Sequence, residues 1–270
     1  DEIISMPALQ AEAIAYLGYA GSLDEGEVDY PLAICAESIL DASSGRVDCT
    51  VGNYLSGSNN RTGYWTNFVQ PCSGAANANS VSNLMSPCGA GNPGPLFFGQ
   101  GITTMEGTQS SSGFSGPDNL TDCWKNADSS PQMVPKSGSG GERPYPNDPW
   151  PITLPVVDCA NFSPTCIPII GVVTVNVLWI TTPNEHAQGY VPVEMSGVPG
   201  FSDWSSTTSD HLQRWNEFAD HFNLLDPDGN PAPYESFTLY FHKDCQVQEP
   251  TGGTGGVNYG ILAKIPVLVK

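Results

Sequence analysis

The densest set of candidate metal ligands lies in Asp226-Pro-Asp-Gly-Asn-Pro-Ala-Pro-Tyr-Glu235, where Asp226, Asp228 and Asn230 set side-chain oxygens at alternating positions. Ca2+, a hard ion, accepts such mixed oxygen ligands. The segment departs from the EF-hand pattern because the twelfth position, counted from Asp226, is not acidic. The competing reading is a Pro-Asp-Gly turn whose Asp and Asn side chains bond to nearby backbone. Ca2+ is the one cofactor these residues suggest, and nothing else in the sequence asks for one.

Residues for covalent or acid–base catalysis are harder to assemble. There is no G-x-S-x-G elbow to raise a serine nucleophile. The four histidines, His186, His211, His221 and His242, form no H-E-x-x-H pair. Asp158, Asp203, Glu217 and Glu235 are carboxylates of the kind a glycosidase uses, but that chemistry depends on a spatial separation that chain spacing does not reveal. No catalytic residue is therefore assigned. Trp65, Trp124 and Trp204 could stack on sugar rings in loop-rich segments, against the alternative that they are buried beneath those loops. Trp179 and Trp215 read as core. Asn60, Asn119 and Asn161 each begin an Asn-x-Ser/Thr sequon.

Eight cysteines, Cys35, Cys49, Cys72, Cys88, Cys123, Cys159, Cys166 and Cys245, suit an exported, oxidised protein. No Cys-x-x-Cys pair is present to begin a tetrahedral zinc site. About a hundred pairings are open to eight cysteines. Proximity in the chain selects Cys35 with Cys49, Cys72 with Cys88, Cys123 with Cys245, and Cys159 with Cys166.

These residues have to be positioned by few regular elements. Residues 6–20 are rich in helix formers and predict an N-terminal helix. Residues 32–40 are apolar and ambiguous between helix and strand, and 45–51 alternate as a strand. From Gly52 to Asn147 the chain is dominated by Ser, Gly, Asn and Pro, with 137–149 reading as a linker or mobile loop. Residues 150–159 predict a strand with prolines placed as at an edge. The β-branched run 167–180 predicts a central strand covered on both faces. Leu212, Trp215, Phe218, Ala219 and Phe222 recur at helical spacing and predict an amphipathic helix at about 209–222. Strands are expected over 236–242 and 259–270. The fold class is α+β and β-rich: a mainly antiparallel sheet, an N-terminal helix, one amphipathic helix and long disulfide-pinned loops. A single domain, 1–270, accounts for this, with 45–147 as a loop-rich subdomain inserted before a sheet core at 150–270.

Composition excludes some partners. Nine basic residues against 28 acidic ones give a net charge of −19, so phosphate backbones and anionic lipid are repelled and nucleic acid is not expected as a partner. Only 14% of the 270 residues are charged. The rest of the polar surface falls to Ser, Thr, Asn and Gly, which favour turns. No apolar run is long enough to span a bilayer, so no membrane contact is expected within these residues. The chain starts at Asp1 with no basic, apolar leader pattern, which leads to the expectation that any leader or membrane anchor has been removed or omitted.

Pro149-Trp-Pro-Ile-Thr-Leu-Pro-Val-Val-Asp-Cys159, Cys166 and Ile170-Gly-Val-Val-Thr-Val-Asn-Val-Leu-Trp-Ile180 resemble the exported region of TadE/TadG-like Flp pilus-assembly proteins. Gly91-Asn-Pro93, Asp122-Cys-Trp124 and the terminal Asn258–Lys270 segment extend the resemblance over most of the chain. It implies a bacterial envelope or cell-surface location and partners among other envelope or pilus proteins or copies of the chain itself. It brings no catalytic residues. The expected function is a non-catalytic extracellular structural or interaction protein of a pilus or surface assembly; the alternative is a carbohydrate-binding module or a secreted glycan hydrolase.

Overall fold

The computed structural model describes residues 14–19, 21–39, 53–56, 62–74, 76–85, 87–105, 119–138, 140–160, 165–225, 230–236, 238–243 and 264–269. The N-terminal part contributes β1 (Ile14–Tyr19), β2 (Ser22–Leu23), β3 (Leu32–Cys35), β4 (Asn53–Ser56) and β5 (Gly63–Thr66). Next come α1 (Ala78–Asn83), β6 (Leu96–Phe97), β7 (Gly101–Met105), α2 (Leu120–Lys125), β8 (Gln132–Pro135) and β9 (Glu142–Tyr145). The remainder holds β10 (Trp150–Val157), β11 (Cys166–Thr181), α3 (Pro183–Gln188), β12 (Glu194–Met195), β13 (Trp204–Ser205), α4 (His211–His221), β14 (Thr238–Lys243) and β15 (Lys264–Val269). The protein is strand-rich and mainly antiparallel, as composition and periodicity predict.

Seven strands form one sheet in the order β10-β3-β5-β7-β11-β14-β4, and β10 also pairs with β11. The pairings β10-β3-β5-β7-β11 therefore return to β10 and close a ring. All of its ladders are antiparallel except β3 on β10, where Ile34 and Cys35 lie opposite Val156 and Val157. Strand β11 makes closure feasible because its start pairs with β7 at Cys166–Pro168 while its later residues carry both β10 and β14. The segment 45–147 supplies β4, β5 and β7 to this sheet.

The run that predicts a doubly covered strand is one: every residue from Gly171 to Thr181 is buried. Its side chains divide between two cores: Ile167, Ile169 and Val172 lie in one, and Val173, Val175 and Val177 to Ile180 in the other. Helix α4 lies within the predicted 209–222 and presses Trp215, Phe218 and Ala219 into the larger core. Leu212, expected on that face, is 53% exposed, because the first turn overhangs the core, and Arg214 is buried instead. Prolines 151 and 155 in β10 fit their places. Thr153 turns its N–H away from β11 to Asp29 Oδ2 at 2.5 Å, so by alternation both prolines miss a donor only on that outer side.

Two expectations are corrected. Residues 14–19 are strand β1, not the end of a helix; Ile14, Tyr16 and Tyr19 are weak helix formers, and all six residues find antiparallel partners in β15. Residues 1–13 and the strand expected at 45–51 lie outside the described residues. The second correction concerns the cysteines. Among the described residues the bridges are Cys35–Cys159, Cys72–Cys166 and Cys88–Cys123, at separations of 124, 94 and 35 residues, which overturns all four proximity pairings. Each bridge follows spatial adjacency: Cys35 sits beside Val157 in the parallel pair, two residues from Cys159. Cys49 and Cys245 lie outside the described residues.

Loops between these elements are held by buried amides. Asn92, fully buried, accepts from Val28 N–H at 3.0 Å and donates to the carbonyls of Asp24 and Gly94 at 2.8 and 2.7 Å. Gln132 accepts from Val193 and Glu194 N–H at 2.8 and 3.0 Å and donates to the carbonyls of Pro146 and Glu194, both at 2.8 Å. Such side chains satisfy backbone groups that no ladder reaches.

Two measurements check this description. Non-reducing peptide mapping should recover Cys35–Cys159, Cys72–Cys166 and Cys88–Cys123 peptides and no Cys159–Cys166 loop; the same map reads the state of Cys49 and Cys245. Asp29 supplies the second. Burial pushes its carboxyl above the usual range, only partly offset by the hydrogen bonds from Thr153. A raised carboxyl favours the protonated form in the fold, so its ionised state weakens stability at neutral pH and that cost fades as pH falls through the folded value. Asp29→Asn should raise the unfolding midpoint at pH 7, and this gain should shrink toward pH 4 in paired thermal melts.

Candidate functional site

Two places concentrate polar chemistry. The first is internal and begins at the end of α2, where Lys125 Nζ donates to Glu185 Oε1 at 2.7 Å. Glu185 sits in the first turn of α3, whose N-cap Thr182 accepts the Glu185 N–H at 3.3 Å, so the cap fixes where the carboxylate stands. Its side chain is 5% exposed against 25% for Lys125. The ammonium also lies 4.8 Å from the ring centre of Tyr145, a cation–π contact. Tyr145 in turn packs against Trp179 at 4.7 Å, Tyr190 at 5.7 Å and Trp124 at 5.8 Å between ring centres.

The indole N–H groups of Trp124 and Trp179, the Tyr145 hydroxyl and Glu185 Oε2 are buried without a hydrogen-bond partner among the described residues. Burial, and then the nearby Glu185 charge, pushes the Tyr145 hydroxyl far above its ordinary range, so it stays protonated. The edge-to-face contact of Trp124 on Trp179, at 5.1 Å and 81°, supports aromatic packing at this point. The ensemble contains no nucleophile next to a base. Its chemistry is that of a buried ion pair joining α2 to α3.

The second place is a surface cleft of about 200 Å³ lined by Ala127, Asp128, Ser129, Asp148, Pro149, Trp150 and Pro151. It forms where the turn after α2 meets the start of β10. Asp128 accepts from Ser130 N–H at 2.7 Å and from Asn147 and Asp148 N–H at 2.7 and 3.3 Å. Partial burial acts to raise its carboxyl, but the three N–H groups together outweigh it and hold the group below the usual range. Asp148 is exposed and accepts from Ser196 Oγ at 2.7 Å. Trp150 is half-buried, with Tyr30 edge-on to it at 5.0 Å and 68°. Burial and the neighbouring Asp29 charge push the Tyr30 hydroxyl up to about 12, so the ring that packs on Trp150 is neutral at physiological pH.

The residues that sequence reading singled out are not brought together. Asp226 and Asp228 lie outside the described residues; Asn230 is exposed, next to Pro231, which bridges to Leu225. Trp65, Trp124 and Trp204 are 4%, 0% and 7% exposed, which corrects the idea that they present sugar-stacking faces. Trp179 and Trp215 are core, as expected. Asn119 is buried as the N-cap of α2, accepting Asp122 N–H at 2.9 Å, so that sequon is closed to a glycan in the folded chain; Asn60 and Asn161 lie outside the described residues. His186 Nε2 is 3.0 Å from Tyr234 O and His221 Nε2 is 2.8 Å from Ser202 O. Sequence reading missed Trp150 as a surface aromatic, although Pro149 and Pro151 on either side signal a stretch that cannot pack as a plain central strand.

The ion pair gives a direct test. Lys125→Met leaves the Glu185 charge buried without its partner and should destabilise the fold by about 3 kcal/mol. Lys125→Met combined with Glu185→Gln should recover part of that loss in chemical denaturation, because the uncompensated charge is gone.

Comparison of the chain with protein-family models, with curated proteins and with solved structures yields no match.

Proposed function

We propose that this chain is a non-catalytic interaction domain exported to the cell surface, acting as a component or accessory of a pilus or similar assembly of the bacterial envelope. The observation that carries this reading is the set of three bridges, two of them spanning 94 and 124 residues. Bonds of that kind persist in oxidising surroundings and lock a sheet whose strands are distant in the chain. The resemblance of residues 149–180 to the exported region of TadE/TadG-like proteins points to the same compartment. Burial of Trp65, Trp124 and Trp204 removes the aromatics that favoured a glycan-binding module or hydrolase. No helix among the described residues is long and apolar enough to cross a membrane.

Electron microscopy of native surface material, with the chain located by antibody labelling, tests the proposal. Labels at regular intervals along, or at the base of, a filament are the expected result; isolated single particles unassociated with any structure would overturn it.

A further inference from the structure

Of the six tryptophans of the chain, Trp150 is the one that is not buried. The cleft that it lines is walled by two carboxylates, and no Lys, Arg or His is among its lining residues. Asp128 is committed, its oxygens taken by three backbone N–H groups and its carboxyl held ionised. Asp148 is not: Oδ1 accepts from Ser196, and Oδ2 has no protein partner among the described residues. Asp148 and Trp150 both line the cleft, and Pro149 and Pro151 fix φ on either side of Trp150.

An indole face carries negative charge density, and beside two carboxylates it favours a cation over a neutral or anionic group. The field of the whole chain has the same sign, with 28 acidic residues against 9 basic. A second copy would bring the same negative charge and is disfavoured. A planar guanidinium stacks on an aromatic face and hydrogen-bonds a carboxylate at the same time, which a compact ammonium does less well. A cleft of about 200 Å³ accepts the end of one such side chain.

We propose that the Trp150 cleft seats an arginine side chain from a basic segment of a protein partner, with the guanidinium lying on the indole and donating to Asp148 Oδ2. This deepens the interaction reading above and names the chemistry of the partner.

The test is calorimetric titration of the full chain at low salt with an Arg-Gly repeat peptide, beside Lys-Gly and Gln-Gly peptides of the same length and a neutral oligosaccharide. The expected result is tightest binding of the Arg peptide, weakened about tenfold by Trp150→Ala and by Asp148→Asn. Asp220→Asn, an exposed carboxylate on α4 that does not line the cleft, should leave it unchanged. Because Asp148 is exposed, its variant should fold normally, which keeps the result interpretable if Trp150→Ala disturbs Tyr30. Equal weakening by all three variants would mean diffuse charge attraction, and binding of the oligosaccharide in place of the peptide would mean a sugar site; either overturns the proposal. A failed titration alongside filament labelling in microscopy would sink the cleft assignment and leave the assembly reading standing.

Discussion

Strand β11 has to satisfy partners on two edges and cores on two faces at once. Sixteen residues of extended chain reach about 50 Å, far enough for the start of the strand to pair with β7 and the end with β14, while β10 runs along the other edge. A strand buried in this way cannot carry charge, and none occurs between Cys166 and Thr181. Its polar residues, Thr174 and Asn176 among them, are buried with it. Ring closure follows from this one strand, since β10 and β7 meet only through it and through β3 and β5.

Once the ring is set, the rest of the structure is attachment. The Cys35–Cys159 and Cys72–Cys166 bridges fasten segments that flank ring strands, so the covalent bonds and the ladders constrain the same topology. Loops that leave the ring bury apolar side chains such as Val28, Phe68, Tyr190 and Val191 in the cores, but their backbone groups lack ladder partners. They are held by Asn92 and Gln132, side chains whose donors and acceptors are spent on backbone groups. Helix α4 and its aromatics cap one core, and the Lys125–Glu185 pair ties the two short helices α2 and α3 beside it.

The two polar places differ in what they can do. In the internal one, opposite charges neutralise each other beneath aromatic rings, which suits adhesion between elements of the fold. In the cleft, negative groups and an indole face are left without a cation from the chain itself. The lining of the cleft therefore favours a positively charged group, in keeping with the acidic composition.

Strand β11, the helix at 211–221 and strand β14 were legible in the sequence because each carries its own signal: a continuous β-branched run, a 3.6-residue apolar stripe and a short apolar run rich in β formers. Composition by itself also determined the negative charge and an even count of cysteines, since these are counts and not contacts. What tertiary structure alone decided was adjacency. Residues 14–19 became a strand because a partner strand arrived from the other end of the chain, a contact that local propensity does not contain. Cysteine pairing went to neighbours across the sheet and not along the chain, because sheet ladders join distant segments. The fate of the tryptophans was decided in the same way. Prolines flank Trp150 and none of Trp65, Trp124 and Trp204, but a proline on either side does not by itself expose a ring; packing against the rest of the fold decides which indole reaches solvent.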